Sequence, residues 1–118
     1  MPPLGAPLSP SFTRTPAFRL ASEVLALVSA VAEALPPQWR FLAVHLRRAP
    51  TVILISLAVS AGVTGKQQRK LVRLARLRAF DLVGALHAAA AAPGVPGPQV
   101  EQAGTACLRL VKLLAPGR

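Results

Sequence analysis

The stretch Thr51-Val-Ile-Leu-Ile-Ser-Leu-Ala-Val59 decides the fold. It is apolar at nearly every position and dense in β-branched residues, so read alone it passes for a buried strand. The rest of the chain is poor in β-branched and aromatic residues, which leaves such a strand with nothing to pair with. The stretch is therefore read as the core of a central, well-buried helix running from about Pro37 to Ala61. Phe41, Val44 and Leu46 continue its apolar pattern upstream. Pro50 has no backbone donor and is expected to kink this helix or divide it in two. The apolar run Thr51–Gly65 is fifteen residues long, short of the roughly 18–20 that span a bilayer.

Working outward, prolines and glycines mark off three more helices. A first helix is expected over residues 16–35, with Thr15 as its cap and Pro16 at its first position. Leu20, Val24, Leu27, Val28, Val31 and Leu35 recur at spacings of three and four, an apolar stripe that Pro36-Pro37 ends. Gly62 and Gly65 bracket the next turn. Thr64 and Gln67 fit a capping box that opens a third helix over 65–91. On a wheel of 100° per residue, Leu71, Leu74, Ala75, Leu82, Ala85 and Leu86 share one face of it, with Arg69, Arg73, Arg76 and His87 opposite. The loop Pro93-Gly-Val-Pro-Gly-Pro98 precedes a fourth helix over 98–114, whose seam is Val100, Ala103, Cys107, Leu110, Val111 and Leu114. The second helix takes 37–61. Four amphipathic helices on short loops imply an all-α domain over residues 16–116, an antiparallel up-down-up-down four-helix bundle.

The segment Met1–Phe18 holds five of the twelve prolines, Pro2, Pro3, Pro7, Pro10 and Pro16. It faintly resembles a mitochondrial presequence in having hydroxyls, arginines and no acid, but the prolines disfavour the required amphipathic helix. Residues 1–15 read as a disordered, proline-rich tail. The single cysteine, Cys107, excludes an internal disulfide framework and a multi-cysteine zinc site; it reads as a small core residue in a cytoplasmic protein.

The charge balance is the strongest functional signal. Fourteen Lys and Arg face four acids, Glu23, Glu33, Asp81 and Glu101, for a net charge of +10. Such a field attracts polyanions, and eleven of the cations are Arg, whose fork suits phosphate. Lys66, Arg69, Lys70, Arg73 and Arg76 cluster on the first half of the third helix; Arg40, Arg47 and Arg48 form a second group on the second helix. Both are candidate nucleic-acid contacts. Apart from Phe80 no aromatic interleaves with them, which argues against stacking on single-stranded bases. Arg78 falls on the apolar face by the wheel, and Asp81 at i+3 is expected to hold it in an ion pair, buried or at a subunit interface. The alternative is a basic group pointing into an oligomer channel.

The catalytic inventory is nearly empty. No two acids form a close pair; His45 and His87 stand alone without a helical-spacing partner; Cys107 has nothing beside it to activate it. No phosphate-binding glycine loop, metal site or cofactor site is recognisable, and an enzyme is not expected.

The segments Leu35-Pro36, Leu46-Arg47-Arg48-Ala49, Ser56-Leu57-Ala58-Val59-Ser60 and Ala75-Arg76-Leu77-Arg78-Ala79-Phe80-Asp81 resemble a bacterial four-helix bundle family. That family includes the protein encoded in intervening sequences of large-subunit ribosomal RNA and the accessory variability determinant of diversity-generating retroelements. The resemblance covers roughly Ala21 to Leu114. It implies an antiparallel bundle assembled as a ring-shaped homo-oligomer, often a pentamer, and for some relatives nucleic-acid or reverse-transcriptase binding. The chain departs from the pattern where the family's acid is Val59 and its following glycine Ser60, and where the small pair of the third helix is Leu77-Arg78. Asp81 keeps the later carboxylate.

Three readings follow. The first is a cytoplasmic, non-enzymatic basic bundle that binds RNA or DNA through phosphate contacts. By the resemblance, it would serve as accessory to a reverse transcriptase or a ribosomal RNA element. The alternative is a protein–protein adaptor or scaffold in which the charge only tunes encounter. A third is association with anionic membrane surfaces through the apolar second segment, without insertion.

Overall fold

The computed structural model describes residues 15–116, and all regular structure in that range is helical. Helix α1 spans Pro16–Ala34, a 3-10 turn Pro37–Trp39, α2 Arg40–Ser60, α3 Gly65–Ala90 and α4 Gly97–Leu113. The proline-rich tail expected over residues 1–15 lies, except for Thr15, outside the described residues.

Each boundary has a local cause. The Thr15 hydroxyl accepts from the Phe18 amide at 3.3 Å, and Pro16 follows at the first helical position. This is the expected cap. Leu35 turns extended ahead of Pro36 and ends α1. The expected start of the second helix at Pro37 is instead a turn of 3-10 helix, closed by the Trp39 amide donating to the Pro36 carbonyl at 2.9 Å. Gly65 at φ +64 and Gly94 at φ +84 hold the α2–α3 and α3–α4 connections in left-handed conformations that a side chain would strain.

α1 packs on α2 and α4, and α3 packs on the same two, so each helix has two neighbours, as a four-helix bundle requires. Every large side chain of the core is aliphatic: Leu46, Ile53, Leu82, Leu86 and Leu110 are fully buried beside Val24, Val28 and Val31. Each such Leu or Ile contributes about 1.5–3 kcal/mol by leaving water. Buried alanines, among them Ala21, Ala49, Ala75, Ala79, Ala103 and Ala106, fill the narrow places between them.

The decisive stretch is helical, but it is not enclosed. Ile53, Ser56 and Leu57 are buried, whereas Ile55 and Val59 face solvent. Phe41, at 92% exposure, and Val44 also point outward. Two neighbouring helices cover one face of α2, not its whole circumference. Pro50 does not divide α2: the helix runs through it, and the ring is buried in the core. Burial of that ring offsets part of the roughly 3 kcal/mol that an interior proline costs a helix. Together, the 3-10 turn and α2 (Pro37–Ser60) form one stretch of 24 residues whose most apolar 18-residue window has mean hydropathy 1.5, long and apolar enough to cross a membrane by length and composition alone. The fifteen-residue run had suggested otherwise. In the bundle 39% of its most apolar window is buried.

Candidate nucleic-acid interface

The third helix was expected to bury the face of Leu71, Leu74, Ala75, Leu82, Ala85 and Leu86. Its fully buried stripe is Ala75, Ala79, Leu82, Leu86 and Ala89, with Leu71, Leu74 and Ala85 only half-buried. That rotation decides where the charges go.

Lys66, Arg69, Lys70 and Arg73 are all exposed, and together with Gln67 they line one open depression of about 500 Å³ at the start of α3. No carboxylate is in its lining. Lys66, in the first turn, opposes the helix dipole by about 0.3–1 kcal/mol at low ionic strength, and the four cations, three and four residues apart, repel one another. Local helix chemistry therefore gives no reason for this cluster. Nor does the predicted capping box form: Thr64 has cap geometry, but its side chain accepts no amide of the first turn. Gln68 is used instead, its Nε2 donating to the Ser60 carbonyl at 3.1 Å and tying α3 to the end of α2. The depression thus combines four cations with a helix N-terminus that has no side-chain cap.

Arg76 is a different kind of residue. Half-buried, it donates from Nε to the Val111 carbonyl at 3.1 Å, and its guanidinium carbon lies 5.1 Å from the centre of the Phe80 ring. It clips α3 to α4. The group Arg40, Arg47 and Arg48 does not act as one patch with the α3 cluster. Along α2, Arg47 and Arg48 lie twelve or thirteen residues before Ser60, about 20 Å at 1.5 Å per residue. Arg40 and Arg47 are exposed on their own. Arg48 instead meets Arg78, His45 and Val52 around a small cavity of about 180 Å³ between α2 and α3.

The expected Arg78–Asp81 ion pair is replaced. Asp81 Oδ2 lies 2.9 Å from His45 Nε2 on α2, with both side chains partly exposed. Arg78 is exposed, because the wheel places it about 60° from the centre of the buried stripe, at its margin. His45 was read as solitary; its partner is 36 positions away, beyond any helical spacing. His87 is exposed. Cys107 is fully buried, as expected, and burial pushes its thiol up from 9.0 to about 11. Among the described residues no three His, Cys, Asp or Glu side chains gather to hold a metal ion.

Residue-by-residue reading missed a second surface beside the cationic depression. Val59, Val63, Leu71, Leu74 and Leu77 line a groove of about 710 Å³ between the end of α2 and the start of α3, with Lys70 and Arg73 at its edge. Leu77 is 58% exposed and Val59 49%. In the sequence, Val59, Leu71 and Leu74 read as core positions, while Val63 and Leu77 carried no assignment to the core or to a surface site. Comparison with known proteins adds no relative to this picture: no family model, no curated protein and no solved structure matches the chain.

Proposed function

We propose that the protein is a non-enzymatic, basic four-helix bundle that binds RNA or DNA through phosphates seated at the start of α3. One observation carries the reading: Lys66, Arg69, Lys70 and Arg73 converge on one open depression without a carboxylate, at helical spacings of three and four where like charges repel. A phosphate there receives charge from four side chains and from the positive end of the helix. Arg48 and Arg78 supply a second, smaller cationic seat on the same pair of helices. Backbone contacts of this kind position a duplex without reading its sequence. The buried, weakly acidic Cys107 thiol is no nucleophile at neutral pH, which agrees with a binding role.

Short connections support an antiparallel, up-down-up-down course of the helices. Exposed Phe41 and Val44 at the start of α2 offer an apolar surface for assembly of copies into a ring. α2 is taken as a bundle helix and not a membrane span, since Arg47 and Arg48 would lie within the bilayer at considerable cost.

Fluorescence anisotropy of a labelled RNA hairpin, titrated across salt concentrations, tests the binding. The log of the association constant should fall linearly with log salt. The double variant Lys66→Gln/Arg69→Gln should flatten the slope by about 2, at roughly 0.9 per phosphate contact. An unchanged slope and affinity in that variant removes this depression as the phosphate site. Native mass spectrometry of the wild type and Phe41→Ser addresses assembly; a monomer at micromolar concentration ends the ring proposal.

A further inference from the structure

We propose that the groove between α2 and α3 docks an amphipathic helix of a partner protein, one whose bulky apolar side chains are flanked by Glu or Asp. The inference does not rest on nucleic-acid binding, although the two surfaces share Lys70 and Arg73.

Shape, polarity and charge specify the occupant. The floor is aliphatic, and Val59 and Leu77 stand about half in water at its margins. Exposed aliphatic surface at the wall of a concavity is what a helix with anchors at i, i+4 and i+7 covers. From Gln67 to Leu77 the groove follows α3 for ten residues, about 15 Å or nearly three turns, a length that accepts such anchors. Its only charged lining residues are Lys70 and Arg73. An acid beside the partner's apolar anchors meets these cations; a lysine there would be repelled.

A second copy of this chain fits poorly. Exposed Ile55 has no acid within four residues to meet Lys70 and Arg73, and the other exposed bulky apolar residues outside the groove lie beside cations: Phe41 follows Arg40, Val44 lies four residues from Arg40 and Arg48, Phe80 stacks with Arg76, and Leu108 and Leu113 adjoin Arg109 and Lys112. Docking any of these others would set cation against cation. The exposed carboxylates Glu23 and Glu33 lie on the outer face of α1, where Ala26 and Ala30 between them are too small to fill the groove. On α4 exposed Glu101 shares a face with Leu108, but Lys112 follows one turn on along that face, so a single anchor would bring a cation as well as an acid to Lys70 and Arg73. The groove calls for several bulky anchors flanked by acids without such a cation, which none of these faces offers.

Sharing of Lys70 and Arg73 has a consequence: an acid-flanked helix in the groove and a nucleic acid at the start of α3 should exclude one another. The partner would then act as a release factor for the bound polyanion.

The probe is a panel of fluorescein-labelled helical peptides carrying Leu, Phe or Met at i, i+4 and i+7 with Glu alongside, each paired with a version in which Lys replaces Glu. Binding is read by anisotropy against the full-length protein. At least one Glu-flanked peptide should bind about tenfold or more tightly than its Lys-flanked twin. Val59→Gln/Leu77→Gln, both at half-exposed positions and checked for unchanged helicity by circular dichroism, should weaken it about tenfold and leave hairpin RNA affinity unaltered. Lys66→Gln/Arg69→Gln, outside the groove, should do the reverse, so failure of one reading is distinguishable from failure of the other. Equal binding of Glu- and Lys-flanked peptides across the panel overturns the proposal, as does indifference to Val59→Gln/Leu77→Gln. Recruitment to phosphatidylserine vesicles that depends on Val59 and Leu77, with no peptide bound, would assign the groove to a membrane surface and equally overturn it.

Discussion

The two halves of α3 differ as much as two separate proteins. Gly65–Arg78 carries six of the cations, Lys66, Arg69, Lys70, Arg73, Arg76 and Arg78, no acid, and a single fully buried side chain, Ala75. Ala79–Ala90 has no Lys or Arg and buries Ala79, Leu82, Leu86 and Ala89. The helix is anchored by its second half and displays its first. An amphipathic helix need not divide its roles only around its circumference; here it divides them along its length. Arg76 sits at the border, its guanidinium already turned to structure.

Substitutions can break this comparison, and the largest effect belongs in the anchor. Leu82→Ala or Leu86→Ala should destabilise the fold by about 2–5 kcal/mol, from lost burial and the cavity left behind. Leu77→Ala in the displayed half should stay within about 0.5 kcal/mol. Urea unfolding followed by circular dichroism gives both numbers. Similar losses at both sites would mean that the first half is packed against something as firmly as the second.

The core that the anchor helps to close also contains Cys107. Its thiol is neutral in the folded state up to about pH 11 but ionises from 9.0 once exposed. Stability from this group is therefore complete below pH 9 and is lost as the pH rises from 9.0 towards 11. At pH 8 a maleimide should label Cys107 only in denaturant; rapid labelling of the native protein would show that the core opens.

At the border, Arg76→Met removes the hydrogen bond to Val111 and the charge over Phe80. The expected loss is about 1–2 kcal/mol of stability, with hairpin RNA affinity reduced less than by Arg73→Gln. The reverse order would return Arg76 to the phosphate-binding set. The smallest effect is expected for His45 and Asp81. Asp81→Asn should change stability by no more than about 1 kcal/mol, because an exposed pair gains little over water. A larger loss would make that pair a structural tie between α2 and α3.

Much of this was legible beforehand, for identifiable reasons. Stripes at spacings of three and four marked the first, third and fourth helices, and Pro36, Gly62–Gly65 and Pro93–Pro98 marked the ends, because these signals act within a few residues. The second helix, apolar at nearly every position, followed only from the lack of a partner for a strand. The cluster Lys66–Arg73 was legible for the same reason, since residues three and four apart on one helix are neighbours in space. Arg78 was misplaced, because a wheel gives the order of faces but not which direction two neighbouring helices will cover. His45 with Asp81, and Arg76 with Val111, join residues about 35 positions apart, and no local spacing encodes them.

The sequence by itself determined that the chain would be helical, where each helix would stop, and that cations would crowd the start of the third. Chain geometry and the scarcity of acids suffice for that. Only the tertiary structure decided that Ile55, Val59 and Leu77 stay in water, that Arg76 turns inward, and that a groove opens beside Lys70 and Arg73. A helix in a bundle has two neighbours and can hide only part of its circumference. Which apolar residues remain outside is set by the packing of all four helices together.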